Sequence, residues 1–128
     1  MSLTEKDSQY LWHPYTQHKT ASAPIAITKG KGALLWDENG KEYIDAIASW
    51  WVNPYGHSNT YIADAIYKQL TTLEHVLFGG FTHEPAVVLA EKLMAILPKN
   101  QQKIFFSDNG STAVEIAIKV ALQYFFNK

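Results

Sequence analysis

Lys103-Ile104-Phe105-Phe106-Ser107-Asp108-Asn109-Gly110-Ser111-Thr112-Ala113-Val114-Glu115 is the stretch on which the fold class turns. Residues 103–107 are short, apolar and rich in aromatics, which predicts a strand. Asp-Asn-Gly-Ser-Thr predicts a turn. From Ala113 onward Val114, Ala117, Ile118, Ala121, Leu122 and Phe125 recur at helical spacing, which predicts a helix that runs almost to Lys128. Strand, turn and helix in that order are the opening of an α/β unit. Such a unit continues into a parallel strand, and none follows here, so the 128 residues are expected to be part of a larger fold.

Upstream, the chain reads as two further blocks. Residues 1–24 are irregular, with scattered His, Pro and Ser. Residues 25–28 and 33–37 predict strands on either side of Lys29-Gly30-Lys31-Gly32. Asp37-Glu38-Asn39-Gly40 predicts a tight type I′ hairpin turn, since Asn-Gly tolerates positive φ, and residues 42–47 return as the partner strand. Residues 48–59 predict a loop. Ile62, Ile66 and Leu70, with Ala65 and Leu73 beside them, form the stripe of a helix. Gly79-Gly80 interrupts the chain, Glu84-Pro85 opens a second helix faced by Leu89, Leu93, Ile96 and Leu97, and Pro98 closes it. The expected division is an arm with a β-meander over residues 1–58, then helices and a first β-α unit over 59–128.

Composition removes several classes of function. There is no cysteine, so neither a disulfide framework nor a thiolate metal site is available. All eleven basic residues are lysine and the net charge is −1, without a basic cluster, which argues against nucleic-acid binding. No apolar run approaches the ~20 residues that span a bilayer. The polar, charged residues 1–7 do not resemble a signal peptide. A cytoplasmic location without membrane association is the expectation. The histidines at 13, 18, 57, 75 and 83 lack metal-ligand spacing and read as structural or incidental. Asp37, Glu38, Glu42 and Asp45 read as a solvated face of the hairpin.

Two places are candidates for chemistry. At residues 107–112 a helix N-terminus presents unpaired N–H groups at the positive end of its dipole. Gly110 permits close approach of an anion, and Ser111 and Thr112 add hydroxyls, which together make a phosphate cradle of a general kind. A competing reading is that Thr112-Ala113-Val114-Glu115 is a capping box that binds nothing. The motif has neither the Lys of a P-loop nor the three glycines of a dinucleotide fingerprint. Trp50-Trp51, near Tyr55 and Gly56-His57, cannot both point into one core face, so at least one lines a cavity or an interface. Core or subunit packing is the alternative. Trp12-His13-Pro14-Tyr15 marks an arm that docks onto something.

Taken in order, these segments show a resemblance. Gly32-x-x-Leu35-x-Asp37-x-x-Gly40-x-x-Tyr43-Ile44-Asp45, Gly56-His57 and Phe106-Ser107-Asp108-Asn109-Gly110-Ser111-Thr112-Ala113-Val114-Glu115-x-Ala117-x-Lys119 resemble the opening of a class III aminotransferase. These are pyridoxal 5'-phosphate enzymes of fold type I. Trp12-His13-Pro14-Tyr15-Thr16, Ser49-Trp50-Trp51-Val52, Gly80-Phe81-Thr82-His83-Glu84-Pro85-Ala86 and Gln123-Tyr124 resemble the biotin-synthesis branch of that family. Its members move an amino group from S-adenosylmethionine to 8-amino-7-oxononanoate. The chain departs from the pattern at Asn53-Pro54-Tyr55, where a His near position 55 is expected, and at Thr60, where Pro is usual.

The resemblance implies an α/β fold, the N-terminal portion of a fold type I transferase. It implies that Gly110, Ser111 and Thr112 cradle the cofactor phosphate and that Tyr15, Trp50 and Trp51 line the substrate pocket. It also implies a homodimer. Family members are roughly three times longer, in keeping with the size of a large two-domain fold. Their Schiff-base Lys, the Asp on the pyridinium nitrogen and the Arg for the substrate carboxylate all lie further along than residue 128. No catalytic residue is therefore expected in this chain, and alone it is expected neither to transaminate nor to behave as a stable monomer. Another class III aminotransferase, or a non-catalytic binding or assembly module, are the alternative readings.

Overall fold

The structure is a computed structural model that describes residues 1–128. It divides into two compact units, Met1–Glu74 and His75–Lys128. The first holds α1 (Leu3–Tyr10), β1 (Ile27–Lys31), β2 (Leu34–Asp37), β3 (Glu42–Ile44), the single turn α2 (Ala48–Trp51) and α3 (Thr60–Thr72). The second holds α4 (Glu84–Ile96) and α5 (Gly110–Phe126).

β1, β2 and β3 form an antiparallel meander in that order. Leu34, Leu35 and Trp36 of β2 stand opposite Ile44, Tyr43 and Glu42 of β3. A bulge between Ile27 and Lys29 shifts the β1–β2 register, and the Thr28 hydroxyl donates to the Asp37 carbonyl at 3.3 Å across it. The turn after β2 differs from the expected type I′. Only Gly40 has positive φ, at 80°, while Asn39 does not. The Gly40 N–H donates to the Asp37 carbonyl at 3.0 Å and the Asp37 N–H to the Lys41 carbonyl at 3.1 Å, which makes a three-residue hairpin closed by a left-handed glycine. Asp37 explains the preference. Its carboxylate accepts from the N–H groups of Asn39 and Lys41 and from the Tyr43 hydroxyl, each at 2.9 Å. Asp37 is therefore a turn-former rather than part of a solvated face. Desolvation pushes its pKa up, but the Lys41 N–H, the Tyr43 hydroxyl, the Asn39 N–H and the Lys41 charge outweigh that and hold it below the ordinary value.

Each helix has a local reason to start where it does. The irregular start expected for residues 1–24 is overturned by α1. Ser2 and Glu5 form a capping box, the Ser2 hydroxyl accepting from the Glu5 N–H at 3.2 Å and the Glu5 carboxylate from the Ser2 N–H at 2.7 Å. Asn59 caps α3 by accepting from the Ile62 N–H. Pro85 occupies the first turn of α4, where its missing N–H costs nothing. In the second unit Phe78 stacks on His83 at 5.1 Å and meets Phe106 at 6.4 Å.

Residues 103–107 do not form the expected strand: they are irregular and make no backbone hydrogen bond to another segment. A strand exists only as a member of a ladder, and no other segment runs beside this one. The apolar stripes of the helices likewise lie open. No residue in either unit is buried, with Ile66 and Leu70 of α3 and Ile118 of α5 all 55% exposed. The elements are held by ladders, caps and turns rather than by a core.

Candidate functional site

The first unit gathers aromatic side chains. Past α1 the chain is tied back by His13, whose Nε2 lies 2.8 and 3.0 Å from the Asp7 carboxylate oxygens. The Thr16 hydroxyl donates to the His13 carbonyl at 2.7 Å. Tyr15 between them has φ of 58°, and its ring meets that of Trp50 at 5.6 Å with the planes tilted by 53°. This geometry is an attractive aromatic pair. An open groove of about 510 Å³ runs along it, lined by Asp7, Leu11, His13, Tyr15, His18 and Trp50 among others. Trp51 is 77% exposed and is not part of that lining. Of the three expected substrate-pocket residues, Tyr15 and Trp50 are thus brought together, while Trp51 follows on the same turn outside this groove.

The two tryptophans owe their orientation to an unusual backbone. Ala48, Ser49, Trp50 and Trp51 have φ of 48°, 47°, 63° and 67°, four successive left-handed residues without a glycine. Each costs about 1–2 kcal/mol relative to the right-handed form. Strain of this kind persists only where surrounding bonds over-determine it. Here the Trp51 N–H donates to the Ile47 carbonyl at 2.8 Å and the Asn53 N–H to the Ala48 carbonyl at 3.0 Å.

Asp45 lies at the foot of this turn and is not solvated as the sequence suggests, its side chain being 7% exposed. One oxygen, Oδ2, accepts from the Ser49 hydroxyl at 2.7 Å and lies 2.8 Å from His57 Nε2. The Ser49 N–H, the Ser49 hydroxyl and His57 together hold the Asp45 carboxyl down to about 2. Sequence reasoning missed this group because its members are spread over residues 45–57 with no local signature. For Ser2 and Glu5 of α1, by contrast, the signal was present in the spacing.

The second unit supplies the helix terminus at α5. The capping box expected from Thr112 and Glu115 is instead made by Asn109 and Thr112. Asn109 Oδ1 accepts from the Thr112 N–H at 3.0 Å, and Thr112 Oγ1 accepts from the Asn109 N–H at 3.2 Å. Glu115 pairs with Lys119 at 2.7 Å. This division of labour leaves the N–H groups of Gly110 and Ser111, and the Ser111 hydroxyl, without an acceptor in the chain. No atom lies within 4 Å of the position a Gly110 Cβ would take, so the approach to these donors is open. Two free N–H groups and a hydroxyl at the positive end of a seventeen-residue helix are donors that suit a dianionic phosphate. Thr112 sits beside them with its N–H and hydroxyl committed to the box. No helix is long and apolar enough to cross a membrane.

Comparison with known proteins gives a consistent answer. The class-III aminotransferase family matches residues 15–128. The adenosylmethionine-8-amino-7-oxononanoate aminotransferase of Synechococcus elongatus is 54% identical over 118 residues, covering 92% of this chain and 28% of that protein. Its namesake in Staphylococcus aureus is 50% identical over 127 residues, covering 98% of this chain and again 28% of the relative. Among solved structures, the enzyme of the same name from Methanocaldococcus jannaschii superposes with a TM-score of 0.89 at 43% identity, over 97% of this chain and 29% of that one. An omega transaminase from Pseudomonas jessenii in complex with PMP superposes with a TM-score of 0.85 at 38% identity, over 93% of this chain and 27% of its own. The chain spans about 28% of the length of the curated relatives it matches.

Proposed function

The chain belongs to the class-III aminotransferase family, and we propose that it contributes two parts of such an enzyme, the phosphate end of the cofactor site and the aromatic side of the substrate pocket. The observation that carries this reading is the pair of open N–H groups at Gly110 and Ser111 beside the Ser111 hydroxyl. Pyridoxal 5'-phosphate, once bound, supplies the electron sink that amino transfer requires. Gly110 and Ser111 hold its phosphate by charge-assisted hydrogen bonds, and Thr112 keeps the helix terminus in shape through its box with Asn109. Tyr15 and Trp50 form a rigid, mostly apolar wall suited to the flexible chain of an amino-keto acid, and the exposed Trp51 adds a second ring from the same turn. The Tyr15 hydroxyl orients the substrate amino group.

On the strength of relatives at 50–54% identity, the acceptor in this reading is 8-amino-7-oxononanoate and the amino donor S-adenosylmethionine, in biotin synthesis. A cytoplasmic homodimer is the form proposed, with residues 59–128 as the start of the cofactor-binding domain. The test is an assay of the full-length aminotransferase carrying this segment. It should form 7,8-diaminononanoate from S-adenosylmethionine and the keto acid. Absence of that product, with activity on simple amines, would favour the second reading, a transaminase of different substrate range, which the likeness to the omega transaminase supports.

A further inference from the structure

We propose that Asp45 is a positioning residue for the substrate pocket: its carboxylate, braced by His57, fixes through Ser49 the left-handed turn that sets Trp50 against Tyr15. The inference rests on the reading that Tyr15 and Trp50 line that pocket, and it names what holds them there.

The argument follows a line of contacts within the first unit. The reference frame is the sheet. Gly32 and His57 exchange reciprocal backbone hydrogen bonds, at 3.0 Å from the Gly32 N–H and 2.8 Å from the His57 N–H. The Ser58 hydroxyl donates to the Gly30 carbonyl at 2.7 Å. Gly30 is glycine because a Cβ there would lie 2.9 Å from His57 Cβ and Cγ, so the imidazole is seated directly on β1. From that seat Nε2 reaches Asp45 Oδ2 at 2.8 Å, and both side chains are largely shielded, at 15% and 7% exposure. The same oxygen takes the Ser49 hydroxyl at 2.7 Å.

Ser49 is the second of the four left-handed residues, and Trp50 is the third. The turn's own backbone bonds reach Asp45, Ile47 and Ala48, and of these Asp45 is tied to the end of the β2–β3 ladder, its N–H donating to the Ala33 carbonyl at 2.8 Å. None of those bonds refers it to β1. Asp45 does so, through a charge-assisted bond on each side, which is the stronger kind. An aromatic wall on an otherwise strained and exposed loop needs such an anchor, because a small displacement of a positioning group weakens substrate binding.

The experiment uses the full-length enzyme loaded with cofactor and labelled with 5-fluorotryptophan, the Trp50 resonance being assigned with Trp50→Phe. Asp45→Ala should raise KM for the keto acid about tenfold, the weight of one charge-assisted bond. The turnover number should hold within about twofold, because the lost contact is uniform binding remote from the reacting carbon. The Trp50 fluorine signal should shift or broaden. Asp45→Asn, whose amide oxygen still accepts from Ser49, should recover most of the KM, and His57→Gln should do better than His57→Ala. If Asp45→Ala does not fold, Ser49→Ala removes one donor without touching the sheet and should raise KM about threefold with the same spectral change.

An unchanged Trp50 signal with unchanged KM in Asp45→Ala or Ser49→Ala overturns the proposal. So does a loss confined to turnover, which a general structural role would produce. Trp50→Ala separates the two readings. If it leaves KM unmoved, the pocket assignment is wrong, while the fluorine signal still reports whether Asp45 sets the turn.

Discussion

Replacing Gly56 by alanine separates two costs that usually arrive together. Gly56 has φ of +82°, and a Cβ there would lie 3.0 Å from Gly32 Cα and 3.3 Å from the Gly32 carbonyl carbon and oxygen. Gly40 has nearly the same φ, +80°, but nothing lies within 4 Å of its would-be Cβ. Gly40→Ala therefore carries only the left-handed penalty, about 1–2 kcal/mol. Gly56→Ala carries that and a collision with main chain, which cannot swing aside as a side chain can. Overpacking of this sort adds about 1–3 kcal/mol.

The added cost falls on the Gly32–His57 bridge, since relief requires the two strands of backbone to part. Hydrogen exchange resolved to single amides in the full-length enzyme measures it directly. The Gly32 and His57 amides should exchange about 5- to 150-fold faster in Gly56→Ala than in the parent, which is 1–3 kcal/mol converted at 1.4 kcal/mol per decade. Gly40→Ala should leave those two amides unchanged and loosen only the 37–41 hairpin. Equal acceleration at Gly32 and His57 in both variants would show that the close approach of Gly56 to Gly32 is absent, and with it the seat on which His57 reaches Asp45.

Asn109→Ala removes the acceptor for the Thr112 N–H and should destabilise α5 by about 0.5–2 kcal/mol, read as a lower urea midpoint. Ser111→Ala, by contrast, should leave stability within about 0.5 kcal/mol and weaken cofactor binding about fivefold, measured by absorbance titration. Asp45 has its carboxyl lowered from 3.8 to about 2, so the stability it contributes is present above pH 3.8 and is lost as pH falls through about 2. Asp45→Asn should flatten that part of an acid titration followed by near-ultraviolet circular dichroism, and superimposable curves would refute it. The isolated 128-residue chain should show no transamination with cofactor and both substrates, and light scattering should find it self-associated through its exposed helix faces; turnover, or a monomer with a cooperative melt, would contradict this.

Elements that close their bonds over short spans were readable. Asn39-Gly40 announced the hairpin, and Ile62, Ile66 and Leu70 announced α3, because a turn and a helix satisfy their backbone within a few residues. The details that failed depended on a competing local partner. The hairpin is not type I′ because Asp37 draws the Asn39 and Lys41 N–H groups onto its carboxylate. The box at α5 begins at Asn109 rather than Thr112 because the helix starts at Gly110, four residues before the first periodic apolar position, Val114. Residues 103–107 have strand composition but no ladder, and pairing cannot be read from one segment. Asp45, Ser49 and His57 were least legible, since only the folded meander carries residue 57 back to residue 45.

That contrast also orders the two candidate groups, one in each unit, by what each depends on. The helix terminus proposed to take the phosphate is built by residues 109–112 alone: Asn109 and Thr112 close the cap, and Gly110 and Ser111 are left open by that closure. Its geometry follows from the start of one helix and is insensitive to the irregular segment before it. The aromatic wall is the opposite case. Tyr15 reaches Trp50 only if the arm is tied through His13 and Asp7 and the turn is tied through Ser49, Asp45 and His57 to β1. A group set by four consecutive residues tolerates change elsewhere, whereas one set by five linked contacts over residues 7–57 can be loosened at any of them. On the proposed reading of Tyr15 and Trp50 as pocket residues, variation that alters substrate range without disturbing the cofactor therefore belongs to the second group. It should be sought at Asp7, His13, Ser49 and His57 as readily as at the rings themselves.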